Sequence, residues 1–167
     1  MANSISQAFK SLSFGGSEGV SEHTHIYEVL YQYLSNVASF SDKRALHNCL
    51  VALINLDKYY KALELLAQVP IDVQEDVVVE KAYIYYKTGN SKLLNELFQL
   101  QKQDSTSLIR ARALTHIVAQ NSYKEGQNDT ALKLYILLIK TNLDIDNVQD
   151  LACNEAAVTS QTNFMAN

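Results

Sequence analysis

The chain has 167 residues, of which 47% are apolar and 19% charged, and a formal net charge of −4. That length supports one ordinary domain with a substantial core. The acidic balance argues against nucleic-acid backbone binding as the main task, because that requires clustered Lys and Arg. One Pro and five Gly suit a nearly all-helical protein and disfavour a turn-rich sandwich.

Residues 1–22 are rich in Ser, with Gly15, Gly16 and Gly19 close together. Ile5, Ala8, Phe9 and Leu12 could form a helical stripe, so this arm reads either as partly flexible or as a docked helix. From His25 the pattern is periodic: Ile26, Val29, Leu30, Tyr33, Leu34 and Val37 share one face. Ser39 to Asp42 reads as a connector in which Asp42 caps the next helix.

Ala45 to Leu66 then reads as two short amphipathic helices. Leu46, Cys49, Leu50 and Leu53 line the first, and Tyr59, Ala62, Leu63 and Leu66 line the second after a break at Asp57-Lys58. Isolated helices shorter than ~12–15 residues are marginal in water, so this hairpin needs neighbours. Val69-Pro70 ends it. The unit recurs from Val77 to Lys87, turns at Thr88-Gly89-Asn90, and returns along Leu93, Leu94, Leu97 and Phe98. It recurs again from Ile109 to Tyr123, turns at Glu125-Gly126-Gln127, and returns along Ala131, Leu132, Leu134, Tyr135 and Leu138. Val148 to Thr162 reads as the first helix of a further unit.

Ala62, Leu94 and Ala131 hold the same place in successive return helices, 32 and 37 residues apart. Gly89 and Gly126 both fall at the turn inside a unit, where a left-handed residue ends the first helix. A helix–turn–helix period near ~34 residues is the tetratricopeptide signature. The expected fold is therefore all-α, a tetratricopeptide-like solenoid of helical hairpins (an α-α superhelix) over residues 23–167, cut in or after the first helix of a terminal unit. An irregular helical bundle is the other architecture the pattern allows. Lys81 at a usually apolar place, Leu94 at a usually small one and Ser122 at a usually aromatic one depart from the signature.

In such a solenoid the first helix of each unit lines the concave side. The register then turns Asn48, Val51, Ile54 and Asn55 toward a groove, followed by Val79, Tyr83, Tyr86 and Lys87. His116, Gln120, Tyr123 and Lys124 come next, with Asn154 and Gln161 on the last helix. Asn can hydrogen-bond a peptide backbone in either direction, and Tyr offers apolar area with a polar tip, so this is a candidate peptide-binding surface. The plainer reading is a set of solvated helix faces. Positions that clamp a chaperone C-terminal carboxylate in some tetratricopeptide domains here carry His47, Val51, Glu80, Ala113 and Ile117, so that partner class is disfavoured.

Chemistry finds no foothold in the pattern. No GxxxxGK[ST], HExxH or CxxC segment occurs. His23 and His25 lie in a polar context, and Cys49 sits on an apolar face as an inert core thiol. Cys153 has no recognisable base beside it. Glu75-Asp76, Asp144 and Asp146 read as helix-entry charge. The expectation is no enzyme, no cofactor, no metal and no small-molecule substrate. No apolar run approaches the ~18 residues of a membrane span, and no secretory signal opens the chain. Two Cys without metal or disulfide spacing fit a reducing, cytoplasmic setting.

The run Val79 to Phe98 resembles the second hairpin of the seventy-two-kilodalton subunit family of the eukaryotic signal recognition particle, through the string Glu80, Lys81, Ala82, Tyr83. Ala131 to Asn142 is similar to a later helix of that family, and the acidic stretch Asp144 to Asp150 follows it. The closing helix carries Asn154, Ala156, Ala157, Gln161, Asn163 and Phe164 in the family's order. The resemblance spans about residues 43–164. It implies an N-terminal tetratricopeptide domain that grips a C-terminal segment of the companion sixty-eight-kilodalton subunit, within the ribonucleoprotein that directs ribosomes to the endoplasmic reticulum. It also implies that RNA contacts lie in a basic region beyond this stretch. The alternative is a tetratricopeptide adaptor that binds a peptide of another intracellular complex.

Overall fold

The computed structural model describes residues 19–103, 108–141 and 148–165. The stripe expected at Ile5 to Leu12 and the helix-entry acids Asp144 and Asp146 lie outside them. The elements are α1 (Gly19–Asn36), α2 (Lys43–Asn55), α3 (Tyr59–Gln68), a short α4 (Ile71–Gln74), a 3-10 turn (Glu75–Val77), α5 (Val78–Thr88), α6 (Ser91–Gln103), α7 (Leu108–Lys124), α8 (Asn128–Lys140) and α9 (Val148–Met165). No strand occurs among the described residues. No helix among them is long and apolar enough to cross a membrane.

Helix boundaries follow local chemistry. Asp42 has extended backbone at the start of α2, and its carboxylate accepts the Ala45 N–H at 3.0 Å. The other oxygen of Asp42 accepts the Tyr33 hydroxyl at 3.1 Å, which ties α1 to the N-terminus of α2. α3 ends where Val69, held extended before Pro70, leaves the helical region. Between Pro70 and α5 the chain forms α4 and the 3-10 turn, short elements that the periodicity does not mark. The Gln74 amide donates to the carbonyls of Leu66 and Val69 at 3.0 and 2.8 Å, satisfying oxygens that the end of α3 leaves open. Lys81 in turn donates to Gln74 Oε1 at 2.7 Å. That contact gives the off-pattern Lys81 a polar role, while burial lowers its pKa.

Three hairpin turns share one hydrogen-bond pattern. Asp57, Gly89 and Gly126 have φ of 55°, 73° and 73°. Each donates its N–H three residues back, and the following residue donates five residues back. This is the double closure of a Schellman end, which satisfies two carbonyls that a helix terminus would otherwise expose. Five residues after each left-handed position come Ala62, Leu94 and Ala131. Each of these donates its N–H to the carbonyl of Lys58, Asn90 or Gln127 respectively, and all three are fully buried. The repeat register read from sequence is therefore present in the backbone.

The chain divides into two compact units, Met1–Ile84 and Tyr85–Asn167, with the division inside α5. In the first, α1 packs on α2 and α2 on α3. Leu30, Leu34, Leu46, Cys49, Leu50, Leu53, Ala62 and Leu65 form its core, closed by Val73, Val77 and Ile84. Full burial of each Leu contributes roughly 1.5–3 kcal/mol. In the second, α7 packs on α8, α8 on α9 and α6 on α7. Ala119, Ala131, Tyr135, Leu138, Leu151 and Val158 form a core cluster there. Val37 and Leu93, read as core-facing, are 63% and 43% exposed. Val37 lies beyond the last residue of α1, where the helical register no longer places it. Leu93 yields its face to Leu94 and Phe98, which are buried one turn apart.

Candidate partner-binding surface

In the first unit the leading helices are α2 and α5. Asn48 and Val51 on α2 are half-buried and Asn55 is exposed, while Ile54 packs against the core. On α5, Val79 and Tyr83 are half-buried. The Tyr83 ring meets the Tyr59 ring edge-on at 6.2 Å. The Tyr59 hydroxyl donates to Asp57 at 2.6 Å; burial, then that bond, raises its pKa. Two polar contacts link the 3-10 turn and α5 to α2: the ion pair of Lys43 with Asp76, and His47 Nδ1 with the Glu80 carboxylate at 3.2 Å. His47 and Glu80 thus bind each other at positions where a carboxylate clamp would need free cations.

In the second unit the leading surface comprises the end of α5, α7 and part of α9. Tyr86 is half-buried beneath Lys124, whose ammonium lies 5.3 Å from the ring centroid. Lys87 and Lys124 are exposed, and Gln120 is half-buried. The His116 ring stands edge-on to Tyr135 at 6.1 Å. Burial, then the Arg112 guanidinium, lowers the His116 pKa, and Asp150 opposes them. Burial pushes the Tyr135 phenol up to about 12, with Tyr86 and Tyr123 adding to the effect. Tyr123 is set against the core cluster, so only part of its ring is available to a partner. Asn154 is half-buried and Gln161 exposed on α9. Of the clamp-equivalent positions in this unit, Ala113 is half-buried and Ile117 is core, 7% exposed.

The structure thus brings Tyr86, Tyr123 and His116 together around Tyr135, with Lys124 over the Tyr86 ring. It places Asn48, Val51, Asn55 and Tyr83 on the leading helices of the other unit. Sequence reasoning missed two polar residues that hold the second unit's surface in place. Arg112 donates to the Leu138 carbonyl at 2.8 Å and the Thr141 hydroxyl at 3.3 Å, capping α8. Asn121 is buried and accepts the Ser91 hydroxyl at 3.3 Å, joining α6 to α7. The signal for Asn121 was its spacing, three residues after Val118 and seven after Leu114, on the buried stripe of α7. A depression of about 740 Å³ lies along α6, lined by Lys92, Asn95, Glu96, Gln99 and Leu100. It belongs to a return helix, not to the leading surface. Cys49 is buried, and burial pushes its thiol up to about 12; Cys153 is exposed.

A scan against known protein families finds no match. The chain is similar to the signal recognition particle subunit SRP72 of Caenorhabditis elegans, at 33% identity over 96 residues. That stretch covers 57% of this chain and 14% of the relative's length. The similarity supports a relationship between this chain and SRP72.

Proposed function

We propose that this chain is a tetratricopeptide-like interaction module of the signal recognition particle, corresponding to an N-terminal part of an SRP72-related subunit. In this reading the hairpins stack as a solenoid. The leading helices hold a C-terminal segment of the companion sixty-eight-kilodalton subunit, and the chain itself performs no chemistry. Its setting is the cytoplasm, where the particle directs ribosomes to the endoplasmic reticulum. RNA contact would fall to other parts of the full protein.

The observation that carries the proposal is the 33% identity to SRP72 over 96 residues. Three hairpins with one turn geometry and one buried register position support the architecture. Stacked hairpins of this kind expose a row of leading helices, which suits an extended protein ligand. The test is a pull-down of the C-terminal part of the sixty-eight-kilodalton subunit by the full chain. Retention at micromolar concentration is expected. Its absence would favour an adaptor in another complex.

A further inference from the structure

Formal charge along α7 has one sign. α7 carries Arg110, Arg112 and Lys124 and no acidic residue, and the adjoining end of α5 contributes Lys87. Among the described residues, Asp150 and Glu155 on α9 and Glu125 after Lys124 supply acidic charge near α7, and Asp150 acts on His116.

Lys124 is placed to act outward. Its ammonium rests over the Tyr86 ring, and an aromatic face positions a cation without cancelling its charge. Gln120, one turn earlier on the same stripe, adds an amide that can donate beside it. Continuing back along that stripe through His116 and Ala113 leads to Ile109, which is 81% exposed. Fifteen residues of helix separate Ile109 from Lys124, about 22 Å at 1.5 Å per residue. An extended chain covers that distance in about seven residues.

We infer that this stripe of α7 takes an extended acidic protein segment, with a partner carboxylate on Lys124 and Gln120 and an apolar partner side chain about seven residues away on Ile109. The inference rests on the proposed function and names the chemistry that the second unit selects. Carboxylates fit better than a phosphate backbone because Arg112 is engaged with α8 and the cations are spread along the helix.

The experiment measures binding of the full chain to the labelled C-terminal segment of the sixty-eight-kilodalton subunit, and to the same segment with every Asp and Glu changed to Asn and Gln. Lys124→Glu should weaken the acidic segment about tenfold. Lys133→Glu, on the exposed side of α8, should stay within about twofold. The neutralised segment should bind the unmodified chain about tenfold more weakly and no longer sense Lys124→Glu. Ile109→Ser should weaken binding even at about 0.5 M salt, where exposed charge is screened. Thermal melts confirm that each variant is folded. Equal affinity for both segments, with no effect of Lys124→Glu, would overturn the inference while leaving the proposed function standing. No binding of the acidic segment by the unmodified chain would end both.

Discussion

Gly89 and Gly126, 37 residues apart, hold the same φ of 73° at the same place in successive hairpins. A Cβ built on either meets nothing within 4 Å. Gly89→Ala and Gly126→Ala should therefore act through backbone angle alone, costing about 1–2 kcal/mol each. Gly→Asn at either site should cost less, because Asn tolerates this region better. Urea unfolding of the four variants checks this. No loss from Ala at either position would mean that these turns are not left-handed in solution.

Ala62 and Ala131 are fully buried at equivalent places in their return helices. Ala62→Leu and Ala131→Leu should each destabilise by about 1–3 kcal/mol through overpacking. At the same place in the second hairpin the chain already carries a buried Leu94, so Leu94→Ala should also destabilise, by about 2–5 kcal/mol, through the cavity left behind. Opposite substitutions that both lose stability would show that each hairpin is packed to its own volume.

Much of this was legible because periodicity and turn chemistry are local properties. Asp42 as a cap, the left-handed glycines and the buried stripe Leu46, Cys49, Leu50, Leu53 all follow from spacings of three to five residues. Arg112 bonding to Leu138 and Ser91 bonding to Asn121 span 26 and 30 residues, and nothing in a helical pattern specifies such partners. Lys81 read as a defect in the repeat because its partner, Gln74, lay in a segment with no periodicity of its own. On the leading helices, spacing identified the stripe but not which of its residues are half-buried. Tyr123 shows the difference, since its ring serves the core as well as the surface.

Alkaline pH should weaken the fold. The Cys49 thiol rises from 9.0 to about 12 and the Tyr135 phenol from 10.0 to about 12, both mainly through burial. Each group is neutral when protonated and has a folded pKa above its unfolded one. The stability it contributes is thus complete below pH 9–10 and is lost as pH climbs toward 12. The slope is about 1.4 kcal/mol per pH unit for each group. The free energy of unfolding, measured from pH 8 to 11, should decline, with Cys49→Ala flattening the earliest part. A thiol reagent at neutral pH should modify Cys153 alone in the folded chain and both cysteines in urea.

Tyr86 joins the aromatic group around Tyr135 from the surface side and carries Lys124 above it. Tyr86→Ala should leave the chain folded and weaken capture of the companion segment by about tenfold, as expected for an aromatic anchor. Unchanged affinity would remove Tyr86 from the contact surface.

The central claim is that the leading helices, and not the return helices, receive a protein segment. Amide chemical-shift mapping of the full chain during titration with the C-terminal segment of the sixty-eight-kilodalton subunit tests it most directly. The account predicts saturable shifts concentrated on α2, α5, α7 and α9, at Asn48, Val51, Tyr83, Gln120 and Lys124 among others. Shifts confined to α3, α6 and α8, or none at saturating segment, would contradict it.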